Sequence, residues 1–453
     1  MVKQQRLVLI VSILASVVAG IDGFIVNVAL PSIAHQLGGG LVVQQWTVDA
    51  YLITLGALIL IAGSLSDLFG RKRILMVGII WFGIASLLCA AAPNGTLLIV
   101  ARALQGVGGA LLVPSSLAFI IAAFSGQAQS KAIGTWTGWL SIATVIGPLL
   151  GGLILAVASW RWIFAVNVVP IAITLWLLSR LEEPRRDTVG AKVDVLGAVL
   201  CALGLGGTAY ALIEQPSHGW GSGQVWFPLA LGVVLLVWFV WHEAHSQQPM
   251  LPLTLFKVRN FSFGNIATLA IYAGLSVSSF LITITLQEIG GYTPLKAGLA
   301  TLPISIVMFL LSSRFGKLAG KYGPRFFMTV GPLVAAGGFL LMLRVQPQVR
   351  YVADLLPGLL LFALGLSMTV APLTSAVLGD IDARRAGVAS AVNNAVARIA
   401  GLIAIAFVGV VIGSHLSISG FRHTLVWVAV LMIIGAAISA IGIRKRTTTR
   451  VGS

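Results

Sequence analysis

Charge is what this chain has least of. Asp, Glu, Lys and Arg make up 9% of its 453 residues, against about 25% in soluble domains. Only 13 residues are acids, and 58% are hydrophobic. A water-soluble enzyme would need a polar outer face on most of its helices, and that face is missing. Cysteine is scarce too. Cys89 and Cys201 both fall inside apolar runs, which argues against a disulfide framework. No window is polar enough to form a separate soluble domain.

What is there instead is apolar length. A bilayer core takes roughly 20 apolar residues per helix, and such runs recur from end to end. Helices are expected at about 7–30, 46–68, 73–92, 98–124, 131–157, 161–179, 194–213, 225–241, 261–287, 297–316, 326–343, 352–378, 386–413 and 423–443. The fold class is therefore an all-α membrane protein with fourteen spans. The basic start, Lys3 to Arg6, superficially fits a signal peptide, but the run behind it continues through Asp22 to Pro31 and reads as a retained first span.

The formal net charge of +16 would suit a nucleic-acid binder, so its placement decides. Of 29 Lys and Arg residues, 22 fall on the side of the N-terminus and 5 on the other (Arg161, Lys296, Arg344, Arg350, Arg422). Arg102 and Arg398 lie within helices. Such asymmetry is the positive-inside rule and puts both termini in the cytoplasm; the excess meets anionic headgroups, with no nucleic-acid partner implied.

Polar connections divide the chain into an N-terminal bundle of six helices (1–185), two additional spans with their linkers (186–250) and a C-terminal bundle of six (251–453). The two extra helices carry no buried acid and are expected to lie laterally, facing lipid. Gly63–Arg71 and Gly316–Arg325 echo one another after the second helix of each half, in keeping with the repeated halves of many transporters. Gly320 stands where the first copy has Asp67, so the second copy lacks that charge.

Ionisable groups inside the bilayer carry the functional signal, because each costs about 2.5–3.5 kcal/mol on insertion scales. Asp22, Asp49 and Arg102 stand out in the first half and Arg398 in the second. Burial favours a neutral carboxyl and a neighbouring guanidinium favours the charged one, so an acid held between the two can take up and release a proton as access alternates. The plainer reading is a structural polar cluster, with Asn27 as the partner of Asp22, and Asp49 at the outer water interface.

The first helix, Asp22-Gly-Phe-Ile-Val-Asn27-Val-Ala-Leu-Pro31, resembles that of the fourteen-helix drug:proton antiporters of the major facilitator superfamily. The loop Gly63-Ser-Leu-Ser-Asp67-Leu-Phe-Gly70-Arg71 is similar to the superfamily's loop between helices two and three. Arg102-Ala-Leu-Gln105-Gly106 is similar to its fourth-helix motif, and Gly147-Pro148-Leu-Leu-Gly151-Gly152 to its fifth-helix antiporter motif. Trp160-Arg161-Trp162-Ile-Phe164, with Asn167 and Pro170, follows as in that family.

The resemblance implies two six-helix bundles plus two extra spans, and transport rather than catalysis. It further implies proton coupling at Asp22, Asp49 and Arg102, and a conformational switch at Gly63, Asp67, Gly70 and Arg71. The antiporter motif would be Gly147, Pro148, Gly151 and Gly152, and Asn27, Gln105, Trp136, Asn393 and Arg398 are candidates for a substrate cavity. Family members handling dications offer several acids in the cavity. Here acids are few, so the expected cargo is hydrophobic and neutral or monocationic, such as a drug, or alternatively a native lipid or metabolite. The proton gradient is the expected energy source, with no cofactor and no metal. Partners would be the cargo, protons and lipids, the protein acting as a monomer in the bacterial cytoplasmic membrane. A receptor or structural subunit without turnover is the alternative class, and the antiporter motif argues against it.

Two tempting signals are discounted. His242 and His245 lack the i, i+4 spacing of a zinc protease helix. Gly106-Val-Gly108-Gly109 has no preceding strand, which excludes a dinucleotide fold.

Overall fold

The computed structural model describes residues 3–181, 193–382, 385–413 and 416–444, without the side chains of Lys3, Asp67, Ser130 and Ser141. Among the described residues there is no strand, and fourteen segments are long and apolar enough to cross a bilayer. The first five are α1 (Lys3–Leu37), α2 (Gly40–Phe69), α3 (Arg71–Ala91), α4 (Gly95–Ala123) and α5 (Gly126–Val157). The sixth span is broken into α6 (Arg161–Ala165) and α7 (Val168–Ser179) at Val166–Asn167. Then come α8 (Val195–His218), α9 (Gly223–His245), α10 (Arg259–Glu288), α11 (Pro294–Tyr322), α12 (Pro324–Leu341), α13 (Leu356–Gly379), α14 (Ala386–Ile412) and α15 (Ile418–Gly442). The protein is thus a multi-pass α-helical membrane protein, as its apolar runs require. The linker at 182–192 lies outside the described residues.

Two compact units emerge. One holds Met1–Leu251 together with Ser279–Leu299 and Ile405–Ser417; the other holds Pro252–Ser278, Ala300–Ala404 and Ile418–Ser453. In the first unit α2 packs on α4, α3 on α4 and α1 on α5, while α8 pairs with α9 and rests on α2. In the second, α12 packs on both α13 and α15.

The sequence echo has a structural counterpart. Gly70 closes α2 and opens α3 at φ 97°, and Gly323 opens α12 in the same way at φ 96°. A side chain at either position would be strained, because positive φ is open chiefly to glycine. Each turn reverses the chain in a single residue, so both helix pairs start from the same tight corner.

Close packing depends on missing side chains elsewhere. On α4, a Cβ at Gly106 would strike the Tyr51 carbonyl and the Thr54 hydroxyl of α2. Gly147 and Gly151 of α5 press on α1: a Cβ would stand 2.8 Å from Phe24 Cβ and 2.9 Å from Ile25 Cγ1. Small residues let helix backbones approach where lipid offers no hydrophobic drive. The outcome is that α4 and α1, which carry the buried charges, are each clamped against a neighbour.

The extra pair is fastened at one end. Asp194 caps α8 by accepting from the Gly197 amide at 2.8 Å, and His242 Nε2 of α9 reaches both of its carboxylate oxygens at 3.0 Å. Contrary to the expectation that this pair carries no buried acid, Glu243 near the end of α9 is 2% exposed and accepts from the Leu251 amide at 2.9 Å. His242 thus ties two helices, and among the described residues no His/Cys/Asp/Glu group could hold a metal ion. The outward side of α9 is a run of exposed Trp226, Leu231, Val234 and Trp238, the composition of a lipid-facing surface.

Candidate functional site: a buried ion pair and an amide latch

Asp22 and Arg102 meet inside the first unit. Arg102 Nη1 donates to Asp22 Oδ2 at 2.6 Å, and neither residue is more than 1% exposed. The other carboxylate oxygen, Oδ1, accepts from Gln105 Nε2 at 2.9 Å and from Asn167 Nδ2 at 3.1 Å. Ser86 on α3 supports both amides, taking bonds of 2.8 Å from Gln105 and 3.2 Å from Asn167. Three donors therefore converge on one carboxylate, as a buried charge demands.

Arg102 is equally well held. Its Nε donates to the Thr47 carbonyl at 2.9 Å, and Nη1 also donates to Gln105 Oε1 at 2.6 Å. The guanidinium lies 4.4 Å from the centre of the Tyr51 ring and 5.8 Å from that of Phe164. A cation over an aromatic face is stabilised by the ring quadrupole, more so away from water. Asp22 therefore has amide donors besides Arg102, and Arg102 has acceptors besides Asp22.

Helical geometry explains the partners. Gln105 follows Arg102 by three residues and shares its face of α4. Asn167 sits where the sixth span breaks, which turns its side chain inward. Asn27, by contrast, is five residues after Asp22, about 140° around the helix. It points elsewhere and donates weakly to Ser279 Oγ at 3.4 Å; Asn167 and Gln105 take the place expected of it. Tyr51 and Trp160, whose type suits a membrane-interface belt, are instead only 4% and 3% exposed.

Asp49 does not join this pair, nor does it lie at the water interface. It is fully buried, and among the described residues neither of its carboxyl oxygens has a hydrogen-bond partner. One turn earlier on α2, Gln45 Nε2 donates to the carbonyls of Ile405 and Ala406 on α14 at 2.6 and 3.1 Å. Beside it, Gln44 Nε2 donates to Glu288 Oε1 at 2.6 Å, and Gln287 Nε2 donates to the Val28 carbonyl at 3.0 Å. These amides make a latch, within the first unit, that ties α2 and α1 to the ends of α10 and α14. Above it lies a cavity of about 1010 Å³ lined by His35, Gln36, Gln44, Trp160, Glu288 and Tyr292, among others. Gly152 belongs to the same closure, since a Cβ there would stand 2.7 Å from Leu295 Cα of α11. Pro148 contributes its carbonyl, which a Cβ at Gly298 would approach to 2.6 Å.

The remaining candidates are scattered. Trp136 is buried and donates to Ser16 Oγ at 2.9 Å, tying α5 to α1. Gly63 has open space around its Cβ position, and Arg71 begins α3. The side chain of Asp67 lies outside the described ones. In the second unit Asn393 Nδ2 donates to Asn265 Oδ1 and Thr268 Oγ1, both at 3.0 Å, and Arg398 is exposed.

The pattern of the Major Facilitator Superfamily matches residues 12–405. The chain is 34% identical over 416 residues to the multidrug resistance protein Stp of Mycobacterium tuberculosis, covering 92% of this chain and 77% of that one. It is 35% identical to the puromycin resistance protein pur8 of Streptomyces alboniger, covering 89% and 81%. With the methylenomycin A resistance protein of Bacillus subtilis it shares 33% identity, covering 90% and 88%. Among solved structures, the D-xylose-proton symporter superposes with a TM-score of 0.71 at 15% identity over 98% of this chain and 99% of that one. A bacterial homologue of the lysosomal transporter Spinster does so at 0.70 and 14%, over 97% of each chain.

Proposed function

The chain belongs to the Major Facilitator Superfamily, and on that premise we propose that it exports hydrophobic compounds such as drugs in exchange for protons. The resistance proteins it resembles support efflux. The observation that carries the coupling is the Asp22–Arg102 pair, sealed from solvent yet built so that each member keeps partners when the other changes charge. A ligand shifts a conformational equilibrium only through different affinity for the two states. A proton on Asp22 supplies that difference by neutralising the carboxylate Arg102 is bound to. Arg102 then remains held by the Thr47 carbonyl, Gln105 and the Tyr51 ring. Breaking a buried pair outright costs about 3–5 kcal/mol, so these residual partners make the protonated state accessible.

Asp49 has the second role. A carboxylate without donor or cation inside a protein is prohibitively costly, whereas a neutral carboxyl is tolerable. We infer that Asp49 holds a proton in this conformation and loses it when the latch above opens. Both termini lie in the cytoplasm, the cavity beneath His35 and Tyr292 faces outside, and the protein works as a monomer in the bacterial inner membrane. The cargo is lipophilic and neutral or monocationic, since the membrane interior offers few acids to hold a dication.

The test is reconstitution into liposomes with an imposed pH gradient, using puromycin and lipophilic cations as probes. Wild type accumulates cargo when the gradient is present and releases protons in exchange. Asp22→Asn is expected to lose gradient-driven transport by at least about tenfold while retaining energy-independent counterflow. Proton exchange at the wild-type rate in Asp22→Asn would sink the assignment.

A further inference from the structure

Arg398 is a cation inside the membrane that the coupling site does not use. It follows the start of α14 (Ala386–Ile412) by twelve residues, about 18 Å along the axis, so it lies near mid-span. Among the described residues it has no ion-pair partner. An arginine at that depth is expensive unless it faces water or a ligand.

The exposure pattern of α14 says which it faces. Beyond its first turn, the exposed residues of this helix are Asn394 and Arg398 alone, one turn apart on one face. Lipid-facing surfaces of this protein look different: α9 exposes Trp226, Val234 and Trp238, and α11 exposes Ile306, Phe309 and Leu310. A face whose open positions are an amide and a guanidinium is ill suited to lipid.

The rotation of α14 is fixed from two levels. Below Arg398, Asn393 binds Asn265 and Thr268 of α10 at 3.0 Å. Above it, Gly401 lies so close to α10 that a Cβ would stand 3.1 Å from Ser276 Cβ. Between these ties the Tyr272 phenol of α10 lies within electrostatic range of Arg398. Asn394 spends its amide on the Ser390 carbonyl at 3.1 Å, leaving Arg398 as the main uncommitted donor.

We propose that Arg398, with Asn394 one turn before it, is a cargo subsite that binds an electron-rich oxygen group, a carboxylate best of all, on a lipophilic molecule. Guanidinium presents a rigid fork of donors that matches a carboxylate in two parallel bonds. The proposal rests on the exporter reading and widens it: scarcity of acids excludes dications, and Arg398 admits lipophilic anions beside the neutral and monocationic cargo.

The test is equilibrium binding to the purified full-length protein in nanodiscs, followed by energy transfer from tryptophan to dansyl. The two probes are a dansyl-labelled octanoate and the matching dansyl-labelled octyl chain without the carboxylate. Hydrogen bonds to a charged group are worth about 1.5–3 kcal/mol, so wild type is expected to prefer the octanoate by about tenfold or more. Arg398→Gln should abolish that preference and leave the affinity for the octyl probe unchanged. An equal affinity of wild type for both probes, or a preference that survives in Arg398→Gln, overturns the proposal. Should Arg398→Gln fail to stay monodisperse, Asn394→Leu decides: the site requires a weakened preference there, and an unweakened one overturns it. The measurement needs no pH gradient, so its failure leaves proton coupling standing, and failure of the Asp22→Asn test leaves this preference standing.

Discussion

Gln105 is the residue on which the coupling site turns. It donates to Asp22, accepts from Arg102 and donates to Ser86, so it senses the charge on both partners. Gln105→Leu leaves a carboxylate short of a donor and a guanidinium short of an acceptor, at about 1–3 kcal/mol for each buried group left unsatisfied. The expected result is a lower melting temperature in detergent together with about a tenfold loss of gradient-driven transport. Unchanged transport would reduce Gln105 to a packing role. Asp22, Arg102 and Gln105 were legible in the sequence because charge and amide are rare in an apolar run. Ser86 was not, since serine is common in membrane helices, and the Thr47 carbonyl carries no sequence signal at all. Tyr51 could not be assigned to the pocket either, because residue type alone does not show that an arginine lies against its ring.

At the scale of elements, the fourteen spans could be read directly from apolar length, and so could the glycine corner shared by α2–α3 and α11–α12. The break of the sixth span at Asn167 has a mark in Pro170, which stands in the first turn of α7 and has no amide to offer the Val166 carbonyl, but apolar length alone runs straight through it. The latch was not visible, since Gln44 and Gln45 read as ordinary polar residues at a helix start until their partners are known. Gln45→Leu removes two bonds to α14 and is expected to loosen the outer closure. A reporter cysteine at Leu155, which lines the outer cavity, gives the measurement. Labelling by a membrane-impermeant maleimide should speed up at least about twofold in Gln45→Leu. The native thiols add little background, as Cys89 and Cys201 are 0% and 2% exposed. An unchanged rate would mean that the latch does not hold the outer side.

For the molecule as a whole, the pair α8–α9 is the part whose removal from the cycle is easiest to imagine. It carries no residue of the Asp22–Arg102 network and presents an apolar outer face. Asp194→Ala deletes a helix cap, worth about 1 kcal/mol, and the contact from His242. The expected outcome is a melting temperature lower by a few degrees with gradient-driven transport within about twofold of wild type. A collapse of transport in a well-folded Asp194→Ala protein would assign the pair a direct part in the cycle.

The composition of the Arg102 pocket also bears on how the chain is made. Asp22, Thr47, Tyr51 and Ser86 all precede Arg102 in the chain, so most of its pocket has already left the ribosome when α4 arrives. Gln105 follows on the same helix, and Phe164 and Asn167 come later still. An arginine entering lipid alone carries the full insertion penalty; here it enters a site whose acceptors are waiting. Asp22 has the opposite experience, spending the synthesis of some 80 residues without its cation. The buried pair therefore sets an order of assembly: α1 to α3 must stay together at the point of entry until α4 completes them.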